Sequence, residues 1–215
     1  DPAKLGYLGV SLGGIMGGEL MSLTDALSAG TLFVPGGRLS AIATDPNGSF
    51  GDVLSILIPK DYTDGDFYRL FAMIQAVLDD GDPSAHAPHI LQTRPDFAPN
   101  TPDLLMGVVL GDTVVPNSTS WSLARALEIP IYATELEPVV GLTFDPTLPL
   151  SGNVNGRTAG LVQFDVTAPG EAAQHGPTVN KDVGIAAWRP FFETHFGDGL
   201  AVLTDPYATV GLDHE

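Results

Sequence analysis

A serine near the start of the chain lies in a pattern that supports nucleophilic chemistry. Residues 5–14 read LGYLGVSLGG, in which an apolar run meets Gly-x-Ser-x-Gly and a glycine-rich helical pattern follows. In the nucleophile-elbow pattern, the serine lies on a sharp strand-to-helix turn with its hydroxyl projecting outward. Its φ must then be positive, and Gly9 and Gly13 leave room for the strand and helix to cross. The pattern predicts Ser11 as a nucleophile, with a tight turn carrying an incidental serine as the alternative.

A base and an acid follow at the ends of later apolar runs. A serine hydroxyl is a poor nucleophile unless a base takes its proton and a carboxylate orients that base. Asp112 follows the apolar run 104–110 after one residue, and His175 lies nine residues after the run 161–166. Because functional groups gather at the carboxyl ends of parallel strands, we expect Ser11, Asp112 and His175 to meet as a triad.

The other histidines and carboxylates offer alternatives. His86 and His89 have a spacing that could suit a metal ion, but no carboxylate cluster lies beside them. His195 is expected to be structural, near a helix end where the dipole favours its proton. His214 belongs to the tail. The remaining candidates for the acid, each expected to be a solvated charge, are Glu135, Glu137 and Asp165.

Composition limits the function classes. The 215 residues suffice for one domain with a sizeable core. The formal charge of −17 repels phosphate backbones and anionic headgroups, so no nucleic-acid partner is expected. The absence of cysteine excludes disulfides, thiolate nucleophiles and Cys-based zinc sites. No apolar run approaches the length of a membrane span, and no cofactor is predicted.

The elements that must position the triad follow a strand–helix–strand order. Strands at 4–10 and 29–34 flank a helix at 12–23, which predicts a mostly parallel sheet with helices on both faces. Small residues at Gly13/Gly17 and Gly14/Gly18 give that helix a bare face. Further strands are predicted at 104–110, 161–166 and, less clearly, 131–133, and the other helices at 66–78, 117–128 and after residue 180.

Several boundaries follow from capping residues and prolines. The helix starts are assigned to Asp64 or Asp66, to Asn117 or Ser118, and to Asn180. Pro190 is expected to kink or split the last helix. The segments predicted to be irregular are 81–102, 129–157, 167–179 and a surface tail from residue 203.

Residues 38–100 have a looser pattern with two interpretations. They form either a cap or lid over a substrate pocket, or a helical insertion packed on the sheet. Within them, the short apolar run 53–58 fits either a strand or a helix.

Residues 4–23, 104–128 and 160–196 resemble the second half of an α/β hydrolase, from the nucleophile strand to the final helix. The opening run DPAKLGYLGVSLGG resembles the elbow of bacterial esterases and secreted lipase-like proteins. The resemblance implies one α/β-hydrolase domain over 1–215. It further implies that Ser11 is the nucleophile, His175 the general acid/base, Asp112 the orienting acid and the N–H of Leu12 an oxyanion-hole donor.

The same resemblance implies strands that this chain does not include. Members of the family have about four strands before the elbow, and a loop after an early strand donates the second oxyanion N–H. Losing such a donor costs about 3–4 kcal/mol in a comparable site, and losing those strands exposes a sheet edge. Because the chain opens just before its first predicted strand, we expect an N-terminal fragment or partner chain to complete the sheet.

The function implied by the resemblance is a serine esterase or lipase-like hydrolase that acts on a small ester or lipid through an acyl-enzyme. The expected location is extracellular or in the cell envelope. Two alternatives stay open: a catalytically silent binding or structural module with this fold, and a peptidase that uses the same triad.

Overall fold

The computed structural model describes residues 4–51, 54, 56 and 58–214. Eight strands lie in this part of the chain: β1 Gly6–Val10, β2 Ala29–Phe33, β3 Asp103–Val109, β4 Ile131–Tyr132, β5 Phe144–Asp145, β6 Ala159–Phe164, β7 Val166–Ala168 and β8 Glu171–Ala172. The first six form one parallel sheet in the order β1-β2-β3-β6-β4-β5, and β7 and β8 form an antiparallel hairpin.

Helices cover both faces of this sheet. The α-helices are α1 Leu12–Leu23, α2 Leu39–Thr44, α3 Asp64–Leu78, α4 Pro83–His86, α5 Pro88–Leu91, α6 Asn117–Leu127, α7 Asp182–Asp198 and α8 Pro206–Val210. Alternate residues of β3 face two hydrophobic clusters, one with α1, α5 and α6 and the other with α7 and α8. The predicted α/β class, with a mostly parallel sheet and helices on both faces, is confirmed.

The helix α1 lies close to the sheet because glycines leave its inner face bare. A Cβ on Gly17 would lie 2.2 Å from Cε1 of Tyr7, and one on Gly9 would lie 2.3 Å from the carbonyl oxygen of Gly13. Gly13 itself has space, since a Cβ there would come no nearer than 3.9 Å to the Tyr7 hydroxyl. The buried glycines of the helix face are Gly14, Gly17 and Gly18. The predicted bare face is therefore real, although Gly13 does not belong to it.

We predict that Gly17→Ala and Gly13→Ala change stability in opposite directions. The methyl at position 17 has no space, so Gly17→Ala should destabilise by about 1–3 kcal/mol. The methyl at position 13 makes only an ordinary contact with the Tyr7 hydroxyl, and alanine is the better helix former by about 1 kcal/mol, so Gly13→Ala should stabilise. Urea unfolding of both variants measures the difference, and equal losses would contradict the proposed packing.

The segment 38–100 contains α2, α3, α4 and α5. Apolar side chains at helical spacing along α3 are half-buried. Its N-cap is Thr63 and not the predicted Asp64 or Asp66. The Thr63 hydroxyl accepts from the N–H of Asp66 while the Asp66 carboxylate accepts from the N–H of Thr63, which satisfies both donors. The apolar run 53–58 lies largely outside the described residues.

Two other helix starts were predicted wrongly, each for a different local reason. The N-cap of α6 is Pro116, since the amide of Asn117 accepts from the N–H of Gly111 and donates to the carbonyl of Val109. The N-cap of α7 is Lys181, because residue 180 ends a 3₁₀ turn over Pro177–Asn180.

Segments predicted to be irregular also contain regular structure. Residues 81–102 include α4 and α5, where Asp82 accepts from the N–H of Ser84 at the start of α4. The helix α7 runs through Pro190 without splitting, because its apolar side chains on both sides of the proline are buried. The tail is not a surface extension, since Leu203 pairs with Leu150 and Tyr207 is buried.

None of the helices in the described part of the chain has the length and apolar character that crossing a bilayer requires.

Candidate active site

Ser11 occupies the turn between β1 and α1, at the carboxyl edge of the sheet. Its φ of 56° and ψ of −120° are strained for a residue with a side chain, at a cost of about 1–3 kcal/mol. Two backbone bonds hold it there: its N–H donates to the carbonyl of Phe33 at 2.9 Å, and its carbonyl accepts from Ile15 at 3.0 Å. The turn therefore fixes where the hydroxyl projects.

The Ser11 hydroxyl lies against an imidazole. Oγ of Ser11 is 2.8 Å from Nε2 of His175, although 164 positions separate the two residues. Nδ1 of the same ring is 2.6 Å from Oδ2 of Asp112. Since a carboxylate only accepts, Nδ1 carries the ring proton and Nε2 is left to accept from the serine. The structure thus brings the three predicted residues into one hydrogen-bonded chain.

The Asp112 carboxylate is fixed by backbone donors. Its Oδ1 accepts from the N–H groups of Val114 at 2.9 Å and Val115 at 3.2 Å. Its side chain is only 1% exposed, whereas that of His175 is 17% exposed. The bonds to Oδ1 leave Oδ2 for the imidazole, so the buried carboxylate can hold one ring orientation.

Two side chains that the sequence did not single out for this role hold the loops of the site. The Asn117 amide bridges the carbonyl of Val109 and the N–H of Gly111, which shapes the turn leading to Asp112. Thr178 closes the loop around His175, because its hydroxyl accepts from the N–H of Gln174 and donates to the carbonyl of Gln174. Asn117 carried a capping signal, whereas nothing in the pattern marked Thr178.

A second Ser–His–Asp arrangement lies at the opposite edge of the sheet. Nδ1 of His195 is 2.7 Å from Oδ2 of Asp103, and Nε2 is 2.8 Å from Oγ of Ser28. Asp103 is 0% exposed, and its carboxylate also accepts from the N–H groups of Thr158 and Ala201. This cluster ties together the beginnings of β2, β3 and β6 and the segment after α7.

The two arrangements differ in what surrounds the serine. Ser28 precedes a strand and has no positive φ, so no helix N-terminus stands behind it to bind an oxyanion. Ser11 is followed directly by α1, whose first residue is Leu12. His195 was predicted to be structural because of the helix dipole, but its contacts with Asp103 and Ser28 give it a more specific role.

The ionisation of Asp103 should govern acid stability. Burial opposes its charge, but the hydrogen bonds from His195, Thr158 and Ala201 together hold the pKa of Asp103 below its ordinary value. A carboxyl with a lowered pKa stabilises the fold above its unfolded pKa of about 3.9 and loses that contribution as the pH falls through its folded pKa.

We therefore predict that Asp103→Asn lowers the free energy of unfolding by about 3–5 kcal/mol at pH 7, because it breaks a buried pair. The gap between the variant and the unaltered chain should narrow as the pH falls below about 4. Urea titrations across this pH range measure it, with the exposed Asp61→Asn as the control. A gap that stays constant down to pH 3 would contradict the assignment.

The alternative site residues lie elsewhere. His86 is 3.1 Å from the carbonyl of Asp80 and His89 is 2.8 Å from that of Thr93, so each ring bonds the backbone. In the described ranges, no group of three or more potential ligands could hold a metal ion.

The alternative acids have other surroundings. Asp165 accepts from the hydroxyl of Tyr207 at 2.8 Å and lies 3.1 Å from Nδ1 of His214. Glu137 is exposed, and its backbone exchanges hydrogen bonds with the amide of Gln163. Glu135 is half-buried in the same loop. The carboxylate that bonds His175 is Asp112.

Neither a protein-family profile nor a curated protein sequence matches the chain. Solved structures do. Puromycin hydrolase is 17% identical with a TM-score of 0.53, covering 92% of this chain and 22% of its own. A puromycin-hydrolyzing peptidase from Mycobacterium tuberculosis is 18% identical with a TM-score of 0.51, covering 95% and 24%. An acylaminoacyl peptidase from Pyrococcus horikoshii is 15% identical with a TM-score of 0.46, covering 84% and 21%.

The two structures with TM-scores above 0.5 have the α/β-hydrolase fold, and this chain has that fold as well. The resemblance inferred from the nucleophile strand and the later elements is thereby confirmed at the level of the fold. The chain spans less than a quarter of the length of each of these proteins.

Proposed function

We propose that this chain carries the catalytic residues of a serine hydrolase that cleaves carboxylic esters through an acyl-enzyme. The observation that carries the proposal is the continuous contact from Ser11 through His175 to Asp112, with distances of 2.8 and 2.6 Å. These are the distances over which a base can take a hydroxyl proton while a carboxylate stabilises the resulting imidazolium.

In this mechanism, Oγ of Ser11 attacks the ester carbonyl carbon and its proton passes to Nε2 of His175. The carbonyl oxygen becomes an oxyanion, and the N–H of Leu12 at the start of α1 donates to it. The imidazolium then protonates the leaving alcohol as the C–O bond breaks. A water gives its proton to the same nitrogen and attacks the acyl group, which releases the acid and restores the serine.

Esters are the proposed substrates because the run around Ser11 resembles that of esterases and lipase-like proteins. A peptidase would use the same residues on an amide. Comparing p-nitrophenyl esters with p-nitroanilides separates the two, since faster cleavage of anilides would favour the peptidase.

We predict that Ser11→Ala abolishes labelling by a fluorophosphonate probe and lowers kcat for p-nitrophenyl acetate by at least about 10⁴-fold. Only a serine activated by a base reacts with this probe. Ser28→Ala is the matched control, because it removes the other serine that bonds a histidine, and it should leave both readouts unchanged.

Two other labelling results would contradict the proposed role of Ser11. If Ser11 of the unaltered protein does not react with the probe, the silent binding or structural module is favoured. Labelling that moves from Ser11 to Ser28 would place the activated serine at the other edge of the sheet.

We further infer that another extended segment pairs with β1, either an N-terminal fragment of the same protein or a partner chain. In the described part of the chain, β1 has one neighbour, β2, and so forms an edge of the sheet. Four large apolar side chains of β1, of the residue before it and of α1 are 41–49% exposed, namely Leu5, Leu8, Leu20 and Leu23. An unpaired edge beside apolar side chains favours addition of a strand. The second oxyanion donor would come with it.

We predict that the backbone amides of β1 exchange slowly with deuterium when the protein includes the sequence that precedes residue 5. Residues 5–214 alone should exchange faster at the β1 amides that face away from β2, and β3 serves as the internal control. Protection of this edge by a stable homodimer of residues 5–214 would overturn the inference and make a second copy the occupant.

A further inference from the structure

An apolar groove begins directly beside the nucleophile. It has a volume of about 300 Å³ and is lined by the first turns of α1, by the helix α2 and by a phenylalanine. Leu12, Met16 and Phe50 are each more than 40% exposed, so the groove is open to solvent. Its principal lining residues are Leu12, Ile15, Met16, Leu39, Ile42 and Phe50.

The walls of this groove are held by hydrogen bonds. Asp82, which is 1% exposed, accepts from the N–H groups of Arg38 at 2.9 Å and Leu39 at 2.6 Å at the start of α2. Gln75 of α3 donates to the same carboxylate at 2.8 Å and accepts from the N–H of Ser40 at 2.9 Å. These bonds fix the position of α2, so the groove has a defined shape in the described part of the chain.

The geometry of the proposed reaction determines whether the acyl half or the alcohol half of an ester can enter the groove. In the proposed mechanism, the carbonyl oxygen points to the N–H of Leu12, and the leaving oxygen must lie near Nε2 of His175 to receive its proton. The acyl substituent therefore extends away from the imidazole. The groove is lined by Leu12, whose N–H faces the carbonyl oxygen, and no described lining residue belongs to the loop that carries His175, which favours the acyl half as its occupant.

The apolar groove differs in polarity from a second cavity, which borders Asp112. A cavity of about 630 Å³ behind Asp112 is lined mainly by polar and acidic side chains, including Asp45, Asn117 and Glu137. Placing an apolar chain against these polar groups would desolvate them at a cost in free energy. The leucine, isoleucine and methionine side chains of the groove carry no such cost. The two sides of the triad thus differ in polarity.

We propose that the groove between α1 and α2 binds the aliphatic acyl chain of the substrate, and that it selects medium-length chains. This inference rests on the proposed esterase function. A water-sized group occupies about 30 Å³, so the groove holds on the order of ten such groups. Each added methylene that enters it should raise kcat/KM by about two- to fourfold until the groove is filled.

The test measures the ratio of kcat/KM for p-nitrophenyl octanoate to that for p-nitrophenyl acetate in the full chain with any preceding segment. Met16→Trp fills the groove from α1, and Ile42→Trp fills it from α2. Each should lower the ratio at least tenfold while acetate turnover persists. Met73→Trp is the matched control, because Met73 is an exposed methionine of α3 outside the groove, and its ratio should not change.

A binding measurement separates the groove from the chemistry. The Ser11→Ala variant cannot form the acyl-enzyme, so its affinity for uncleaved p-nitrophenyl octanoate reports the groove alone. Adding Met16→Trp or Ile42→Trp to that variant should weaken the affinity at least tenfold. Unchanged affinity and an unchanged chain-length ratio in both variants would overturn the assignment of the groove. Absent turnover in the unaltered protein, with groove-dependent binding intact, would instead refute only the esterase function.

Discussion

The close approach of α1 to the sheet is the constraint on which the candidate site depends. Ser11 can take its strained turn only if the strand before it and the helix after it cross with almost no space between them. Gly9 allows this crossing next to the turn, and Gly17 allows the helix to continue over Tyr7. The same crossing places Leu12 at the start of α1, beside the nucleophile and at the mouth of the apolar groove. Nucleophile, oxyanion donor and groove therefore share one structural origin.

Two Ser–His–Asp arrangements with nearly the same hydrogen-bond lengths occupy opposite edges of one sheet. Their difference shows that the three side chains do not define a catalyst by themselves. At the carboxyl edge, the serine is strained, followed by a helix and partly open to solvent. At the other edge, Asp103 is saturated by backbone donors and His195 is nearly buried, so the bonds hold chain segments together. The surroundings decide whether the same contacts support chemistry or stability.

Sequence reasoning could predict the elements and the three residues because parallel sheets follow simple periodic rules. Apolar runs marked β1, β2, β3 and β6, and the ends of those strands pointed to Ser11, Asp112 and His175. The cluster of Ser28, Asp103 and His195 could not be predicted, since Ser28 and Asp103 lie at or just before the beginnings of strands and no motif surrounds Ser28. Capping was misjudged at Asn117 because a tertiary contact used the amide that a cap would need. Local propensity could not reveal that competition.

The long separations in sequence also bear on how the chain is made. Both histidines lie beyond position 170, and each must reach a serine within the first thirty residues. During synthesis, the early βαβ unit therefore leaves the ribosome long before its partners exist. Parallel sheets with such distant contacts fold slowly and expose apolar edges while they wait. The segment from His175 to His195 thus completes both hydrogen-bonded arrangements late in synthesis, and a chain truncated before residue 175 would lack both histidines.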